Sequence, residues 1–166
     1  MLKGEKFVSM PITDLKAGKQ VANVKKLIIN SEKKEIAGFL VAEFKNSNIE
    51  KAVVYNNISS IEKNTINIKS FDSIQEFNSL PDLIKLEKNC CNIAEAQVLV
   101  ENSSLLGSVK DFWIDKKTGK ILFLEICSVP SEQGTRFKGR LDAKNIKKIG
   151  VKVIIAKEGS EKDLIR

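Results

Sequence analysis

One stretch of this chain occurs twice, and this duplication constrains the fold more than any other feature of the sequence. Residues 24–41 are VKKLIINSEKKEIAGFLV and residues 109–126 are VKDFWIDKKTGKILFLEI, with apolar positions aligned almost throughout at an offset of 85. A second pair of similar segments, residues 57–68 and 145–156, follows at an offset of 88. The extra three residues are expected in the loop 130–135. The sequence therefore predicts two units of one topology.

The length of 166 residues divides naturally into these two units. We expect a first unit at residues 1–70, a linker at residues 71–95 and a second unit at residues 96–166. Units of this size bury only a modest fraction of their surface and are marginally stable alone. We therefore expect the two units to pack against each other.

Each copy has the pattern of a β-hairpin. In the second copy, Gly107–Ile114 and Lys120–Cys127 flank the turn Asp115–Gly119, whose final glycine adopts a positive φ at little cost. In the first copy, Val21–Ile29 and Ile36–Phe44 flank a turn without that glycine. Two further short apolar segments follow each hairpin. The pattern predicts an all-β fold of two small tandem β-barrels, joined by a short helical linker.

Both faces of these hairpins are apolar near their middle. Successive strand residues point to opposite faces, so Trp113 points away from Phe112 and Ile114, and Ile28 points away from its own neighbours. A small barrel needs only its inner face to be apolar. The outer face is therefore expected to pack on the other unit, on the linker or on a second molecule.

The linker and the last residues carry weaker signals. Ser73 resembles a helix N-cap ahead of Ile74 and Phe77, and Pro81 precedes a second helical pattern. We expect one or two short helices that cover an open end of a barrel, with an ordered coil as the alternative. Residues 158–166 are expected to fray.

The second copy resembles a known family. Gly107-Ser-Val-Lys-Asp-Phe-Trp-Ile-Asp, followed by Thr118-Gly-Lys-Ile and later by the segment 140–150, is similar to the PRC-barrel family. This family includes the cytoplasmic domain of the photosynthetic reaction-centre H subunit and the C-terminal half of a ribosome-maturation factor. The first copy departs from the motif at Ala22, Lys26 and Asn30. The resemblance implies two tandem small β-barrels that act as a docking or assembly module.

Charge suggests an alternative partner. The first unit carries 12 basic and 7 acidic residues, the second carries 14 and 9, and the linker between them carries 2 and 5. Arg136, Lys138 and Arg140 alternate along one predicted strand and are expected to share a face. Such a face attracts phosphate, although only Phe137 could stack on a base. A solvated charged surface explains the same pattern.

The residue types argue against catalysis. The chain contains no histidine, which removes the usual general base and the usual metal ligand. Cys90, Cys91 and Cys127 lack the spacing of a zinc site, and no phosphate-binding glycine motif is present. We expect no cofactor and no metal. Without an apolar leader, a membrane span or a disulfide pattern, a cytoplasmic location is expected.

These observations predict a non-catalytic adaptor for protein interaction or assembly. The residues expected to contact a partner are Ile28, Trp113, Arg136, Phe137, Lys138 and Arg140. The alternative is an RNA- or ribosome-associated factor that uses the basic faces. A homodimer is a further option. The second copy, which keeps the family motif and has the longer loop, is expected to make most of the specific contacts.

Overall fold

The first half of the chain forms one sheet. The structure, a computed structural model, describes residues 1–45, 48–89, 92–102 and 104–166. The strands of the first sheet are β2 (Pro11–Asp14), β3 (Lys19–Asn30), β4 (Glu35–Glu43), β5 (Lys51–Val54), β6 (Ile58–Ile61), β7 (Ile66–Ile68) and β8 (Gln75–Glu76). They lie in the order β6-β7-β2-β3-β4-β5-β8.

The second half forms another sheet, which also receives the start of the chain. Its strands are β1 (Leu2–Lys3), β9 (Gln97–Val100), β10 (Leu105–Ile114), β11 (Ile121–Cys127), β12 (Phe137–Asp142), β13 (Ile146–Ile149) and β14 (Val153–Ala156). Six of them lie in the order β13-β14-β9-β10-β11-β12, and β1 pairs with β10. The chain thus starts in the second sheet and then forms the first.

The two sheets have the same topology. The path β6-β7-β2-β3-β4-β5 becomes β13-β14-β9-β10-β11-β12 when each strand is replaced by its counterpart seven places later. The parallel pairing of β2 with β7 recurs as that of β9 with β14. The prediction of a mostly β fold with a short helix is confirmed, and both predicted hairpins are present as β3–β4 and β10–β11.

One apolar core joins the two sheets. Phe7 and Phe39 from the first half and Phe112 and Leu124 from the second half belong to a single cluster of buried side chains. The expected alternation holds, because Phe112 and Ile114 are in this core while Trp113 is not. Each sheet therefore depends on the other to remove its inner face from water.

The linker covers the outer face of the first sheet. Its helix α1 (Pro81–Lys88) places Leu83 in a second apolar cluster with Ile28, Leu40, Ala52 and Phe77. The sequence predicted that a helix would cover an open barrel end. Instead, α1 lies on the outer face of the sheet. The outward side chains of β3, β4 and β5 there are apolar, and their burial under α1 stabilises this sheet.

Two local predictions are wrong. The expected helix starting after Ser73 does not form, because Gln75–Glu76 pairs as β8 with the edge strand β5, and only the 3₁₀ turns Phe71–Ser73 and Phe77–Ser79 flank it. The expected fraying of the last residues is contradicted by Ile165, whose backbone exchanges two hydrogen bonds with Arg140, at 2.7 and 3.0 Å. In both cases an open sheet edge offers backbone partners that local sequence preference does not anticipate.

The hairpin turns of the two units bind each other. Ile36 N donates to Gly119 O at 2.9 Å, and Ile121 N donates to Lys34 O at 2.8 Å. Ile121 and Gly119 are the counterparts of Ile36 and Lys34 at the offset of 85. The contact is therefore reciprocal, as in a two-fold symmetric dimer interface.

Side-chain size is complementary on each side of this contact. On one side Gly119, at φ 75°, lies beneath Tyr55, whose hydroxyl donates to Lys116 O at 2.8 Å. On the other side Lys34 occupies the glycine position at φ 53° and donates from Nζ to Ala143 O at 3.1 Å. Ala143 stands where the first unit has Tyr55. A small residue thus faces a large one on both sides.

We predict that Gly119→Ala weakens the contact between the units. A Cβ there would lie 2.9 Å from the Tyr55 ring, in addition to the strain of a positive φ. The free energy of unfolding should fall by about 2–4 kcal/mol, measured by urea denaturation. Gly18→Ala is the control, since Gly18 has φ 66° with nothing near its Cβ. A loss equal to that of the control, about 1–2 kcal/mol, would contradict the role of Gly119.

We predict that the protein loses stability above about pH 10 through Tyr55. Burial, and then the charge of Asp115, raise the pKa of Tyr55 above its ordinary value. The unfolded chain therefore releases this proton at a lower pH than the folded chain does, and the free energy of unfolding falls as pH rises. Tyr55→Phe should flatten this dependence and cost about 0.5–1.5 kcal/mol at pH 7. Equal slopes in the two proteins between about pH 9.5 and 11 would exclude this explanation.

Candidate functional site

A group of aromatic and charged side chains lies on the outer face of the second sheet. We call it the aromatic face. It consists of Lys3, Trp113, Phe123, Glu125 and Arg140, which come from β1, β10, β11 and β12. The strand register places Trp113 opposite both Lys3 and Phe123, and Glu125 opposite Arg140. Four strands therefore bring these five side chains together.

Two cationic side chains lie over the two aromatic rings. The ring centroids of Trp113 and Phe123 are 5.7 Å apart. The Arg140 guanidinium lies 4.8 Å from the Phe123 centroid and 6.0 Å from that of Trp113. Lys3 Nζ lies 5.4 Å from the Trp113 centroid. At these distances the negative face of each ring attracts a cation, which holds the charged groups over the rings.

Glu125 anchors this arrangement from below. It is 8 % exposed and accepts hydrogen bonds from Trp113 Nε1 at 2.8 Å and from Lys3 Nζ at 3.2 Å. Burial alone raises the pKa of Glu125, but the hydrogen bonds from Trp113 and Lys3 outweigh it, so the net pKa is lowered. The carboxylate is therefore ionised near neutral pH, and it fixes the orientation of the indole.

The equivalent face of the first sheet is built differently. Ile28, Leu40 and Ala52 stand where the second sheet has Trp113, Glu125 and Arg140. Gly38, the counterpart of Phe123, lies under the helix, and a Cβ there would come within 3.1 Å of Leu83. The first sheet thus leaves room for α1, whereas the second sheet fills the same space with Phe123.

The structure separates the six residues expected to contact a partner. Ile28 is 2 % exposed beneath α1, so it offers no surface to another molecule. Trp113 is half-buried on the aromatic face and is not enclosed between the units. Phe137 is 54 % exposed at the start of β12, and Arg140 is exposed on the same strand.

The three cations of the predicted basic strand do not form one stripe. A register shift opposite Ile126 and Cys127 interrupts their alternation. Arg140 lies over Phe123, and Lys138 donates from Nζ to Leu106 O. Arg136 precedes β12 and is exposed. The geometry therefore adds nothing to the RNA-binding alternative beyond the charge itself.

Sequence reasoning missed three members of the aromatic face. Lys3 is 122 residues from Glu125 along the chain, and no local pattern links them. Phe123 was recognised only as a strand residue. Glu125 carried a usable signal, because a single charged residue inside the apolar strand Ile121–Cys127 indicates a buried ionic partner.

Metal ligands, cysteines and membrane-spanning helices were the other features to locate in the described part of the chain. No group of three or more His, Cys, Asp and Glu residues there is placed to hold a metal ion. Cys127 is buried in β11, as expected of a small core residue, whereas Cys90 and Cys91 lie outside the described residues. No helix within those residues has the length and apolar character needed to cross a membrane.

Comparison with known proteins agrees with this geometry for the second unit. The family model described as PRC-barrel domain matches residues 87–162, which include β9 to β14. The resemblance seen in the motif around Gly107 is therefore confirmed for that half, while the first sheet lies outside the match. The chain has no significant match among the curated proteins with which it was compared.

We predict that Glu125→Gln removes part of the stability of the second sheet. The ionised carboxylate is lost, so the free energy of unfolding at pH 7 should fall by about 1–3 kcal/mol. Because the folded pKa is lowered, this contribution is present above the unfolded value and disappears as pH falls through the folded value. The variant should therefore lose less stability than the wild type between about pH 5 and 3.

Trp113 is the only tryptophan in the chain, so its fluorescence follows this titration directly. Glu62→Gln serves as the control, because Glu62 is an exposed carboxylate in the turn between β6 and β7 of the first sheet. Parallel acid curves for wild type and Glu125→Gln would show that this carboxylate does not stabilise the fold.

Proposed function

We propose that this protein is a non-catalytic adaptor that docks a partner protein on its second unit. In this proposal residues 1–70 are a further, diverged copy of the PRC-barrel module and residues 96–166 are the binding copy. The observation that carries it is the difference between two equivalent surfaces. The outer face of the first sheet is occupied by α1, whereas the outer face of the second sheet presents Trp113 with its cations.

The first unit is suited to a scaffold role. Its outward apolar side chains are already buried under Leu83 and Phe77. Its hairpin turn is engaged with the turn of the second unit through Lys34 and Ile36. The outer face of β3, β4 and β5 is therefore covered, and the contribution of this unit is to hold the second sheet in place.

The second unit has the composition of a binding surface. Tryptophan and arginine are enriched among the residues that dominate protein–protein binding energies. Trp113 and Arg140 lie together here, and their positions are set by strand pairing and by Glu125. An arrangement that is ordered before binding loses less entropy when a partner arrives. Phe137 extends the surface to the edge of the sheet, where it is exposed.

Several features favour binding over catalysis. The chain has no histidine, which removes the usual general base. Glu125, the carboxylate of the aromatic face, is already engaged in hydrogen bonds from Lys3 and Trp113. An RNA- or ribosome-associated role remains the alternative, and it rests on the net charge of +7.

Site-specific photo-crosslinking in the native host tests this function. A benzoylphenylalanine is placed at Phe137 in one protein and at Phe44 in another. The two positions are matched, since Phe137 is 54 % and Phe44 is 58 % exposed, but Phe44 lies at the end of β4 on the first sheet. We expect a discrete protein adduct from position 137 and a much weaker one from position 44.

The variant Arg140→Glu should reduce the adduct from position 137 by about tenfold, because it reverses a charge next to the aromatic rings. An adduct of equal yield from both positions, or none from position 137, would contradict docking on the second unit. An adduct with RNA instead of protein would support the alternative.

A further inference from the structure

A groove runs along the edge of the second sheet, between β12 and the last residues of the chain. Its volume is about 570 Å³. The residues that give it its character are Arg136, Phe137, Lys138, Glu161, Lys162 and Leu164. Three of these are cations and one is a carboxylate, and two are apolar. We call it the edge groove.

The walls of the edge groove are held by backbone contacts. The two hydrogen bonds between Arg140 and Ile165 join the final segment to β12. Gly139 permits the close approach, because a Cβ at this residue would lie 3.0 Å from Leu164 Cβ. The groove is therefore a formed feature of the fold, and it adjoins the aromatic face through Arg140.

Two cations of the edge groove form no ion pair within the described residues. Arg136 and Lys162 have no carboxylate within 4.0 Å among the described residues, whereas Lys3, Lys26 and Lys147 each have one. Phe137 lies beside these cations and is largely exposed. The surface thus combines positive charge with an uncovered apolar side chain.

The first sheet shows what kind of segment fits at the corresponding edge. There, β8 pairs with β5 and places Gln75 opposite Ala52. On β12 the equivalent position, opposite Arg140, is held by Ile165, and the edge groove lies beside it. The segment around β8 is acidic, with Asp72 and Glu76, and it has apolar side chains on either side. Phe77 anchors it in the cluster beneath α1, and its N–H donates to Glu50 O at 2.9 Å.

We infer that the edge groove binds an extended acidic segment of a partner protein, with an apolar side chain of that segment against Phe137. This inference rests on the proposed docking function and specifies the chemistry of the partner. Carboxylates of the segment pair with Arg136 and Lys162, and charge complementarity selects acidic partners over basic ones.

A fluorescent peptide with the sequence of residues 70–80, SFDSIQEFNSL, is a suitable probe because it has the acidic and apolar pattern of the β8 segment. Its binding to the full chain is measured by fluorescence anisotropy. A second peptide with Asp72→Asn and Glu76→Gln has the same shape without the charge. We expect saturable binding of the acidic peptide that is about tenfold tighter than that of the neutral one. The affinity for the acidic peptide should fall as the salt concentration rises from about 50 to 300 mM.

Variants of the protein locate the binding. Arg136→Glu and Lys162→Glu should each lower the affinity for the acidic peptide by about fivefold or more, since each reverses one charge of the groove. Lys63→Glu is the matched control, because it reverses an exposed lysine of the first unit. Equal affinity for both peptides, or equal losses in all three variants, would overturn the inference.

Two further outcomes separate this inference from its alternatives. The inference would be overturned if a single-stranded RNA bound more tightly than the acidic peptide and the same groove variants abolished that binding. The cations would then serve to bind phosphate. A protein adduct from position 137 that persists in Arg136→Glu and Lys162→Glu would also overturn it. That second outcome would leave the docking function itself intact, since the adduct alone tests the function.

Discussion

The reciprocal contact between the two hairpin turns is the constraint on which the rest of the structure depends. The hydrogen bonds from Ile36 to Gly119 and from Ile121 to Lys34 join equivalent residues of the two units. They orient the two sheets so that their inner faces form one apolar core. The contact also explains the unequal turns, because Gly119 makes room for Tyr55, whereas Lys34 extends towards the smaller Ala143. On both sides of the contact a small residue thus faces a large one of the other unit.

The two sheets have the same topology, but their outer faces differ. At a single position, Gly38 admits α1 to the first sheet and Phe123 excludes a helix from the same place on the second. The first outer face is buried under α1, and the second carries a partly exposed layer of rings and cations. The proposed division into a scaffold unit and a docking unit follows from this difference. The sheet edges differ in a similar way. The first unit covers its edge with its own acidic strand β8, whereas the edge groove lies at the edge of the second sheet.

Much of the fold followed from local patterns. The alternation in β3, β4, β10 and β11 predicted both hairpins, and it placed Trp113 on the face opposite Phe112. The errors came where a sheet edge was available. Residues 73–77 have a helical spacing, and yet Gln75–Glu76 pairs with β5, because the backbone groups of an edge strand need partners. The same reason explains why Ile165 is ordered against Arg140.

The sequence by itself determined the duplication, the strand pattern, the resemblance of the second unit to the PRC-barrel family and the absence of histidine chemistry. These properties are visible locally, because strand alternation repeats every two residues and a motif is contiguous. Only the tertiary structure decided which outer face is covered and which is free. Ile28 and Trp113 occupy equivalent positions, yet α1 covers one, while Lys3, from the other end of the chain, lies over the other. Such contacts depend on how distant segments pack, and no local pattern records them.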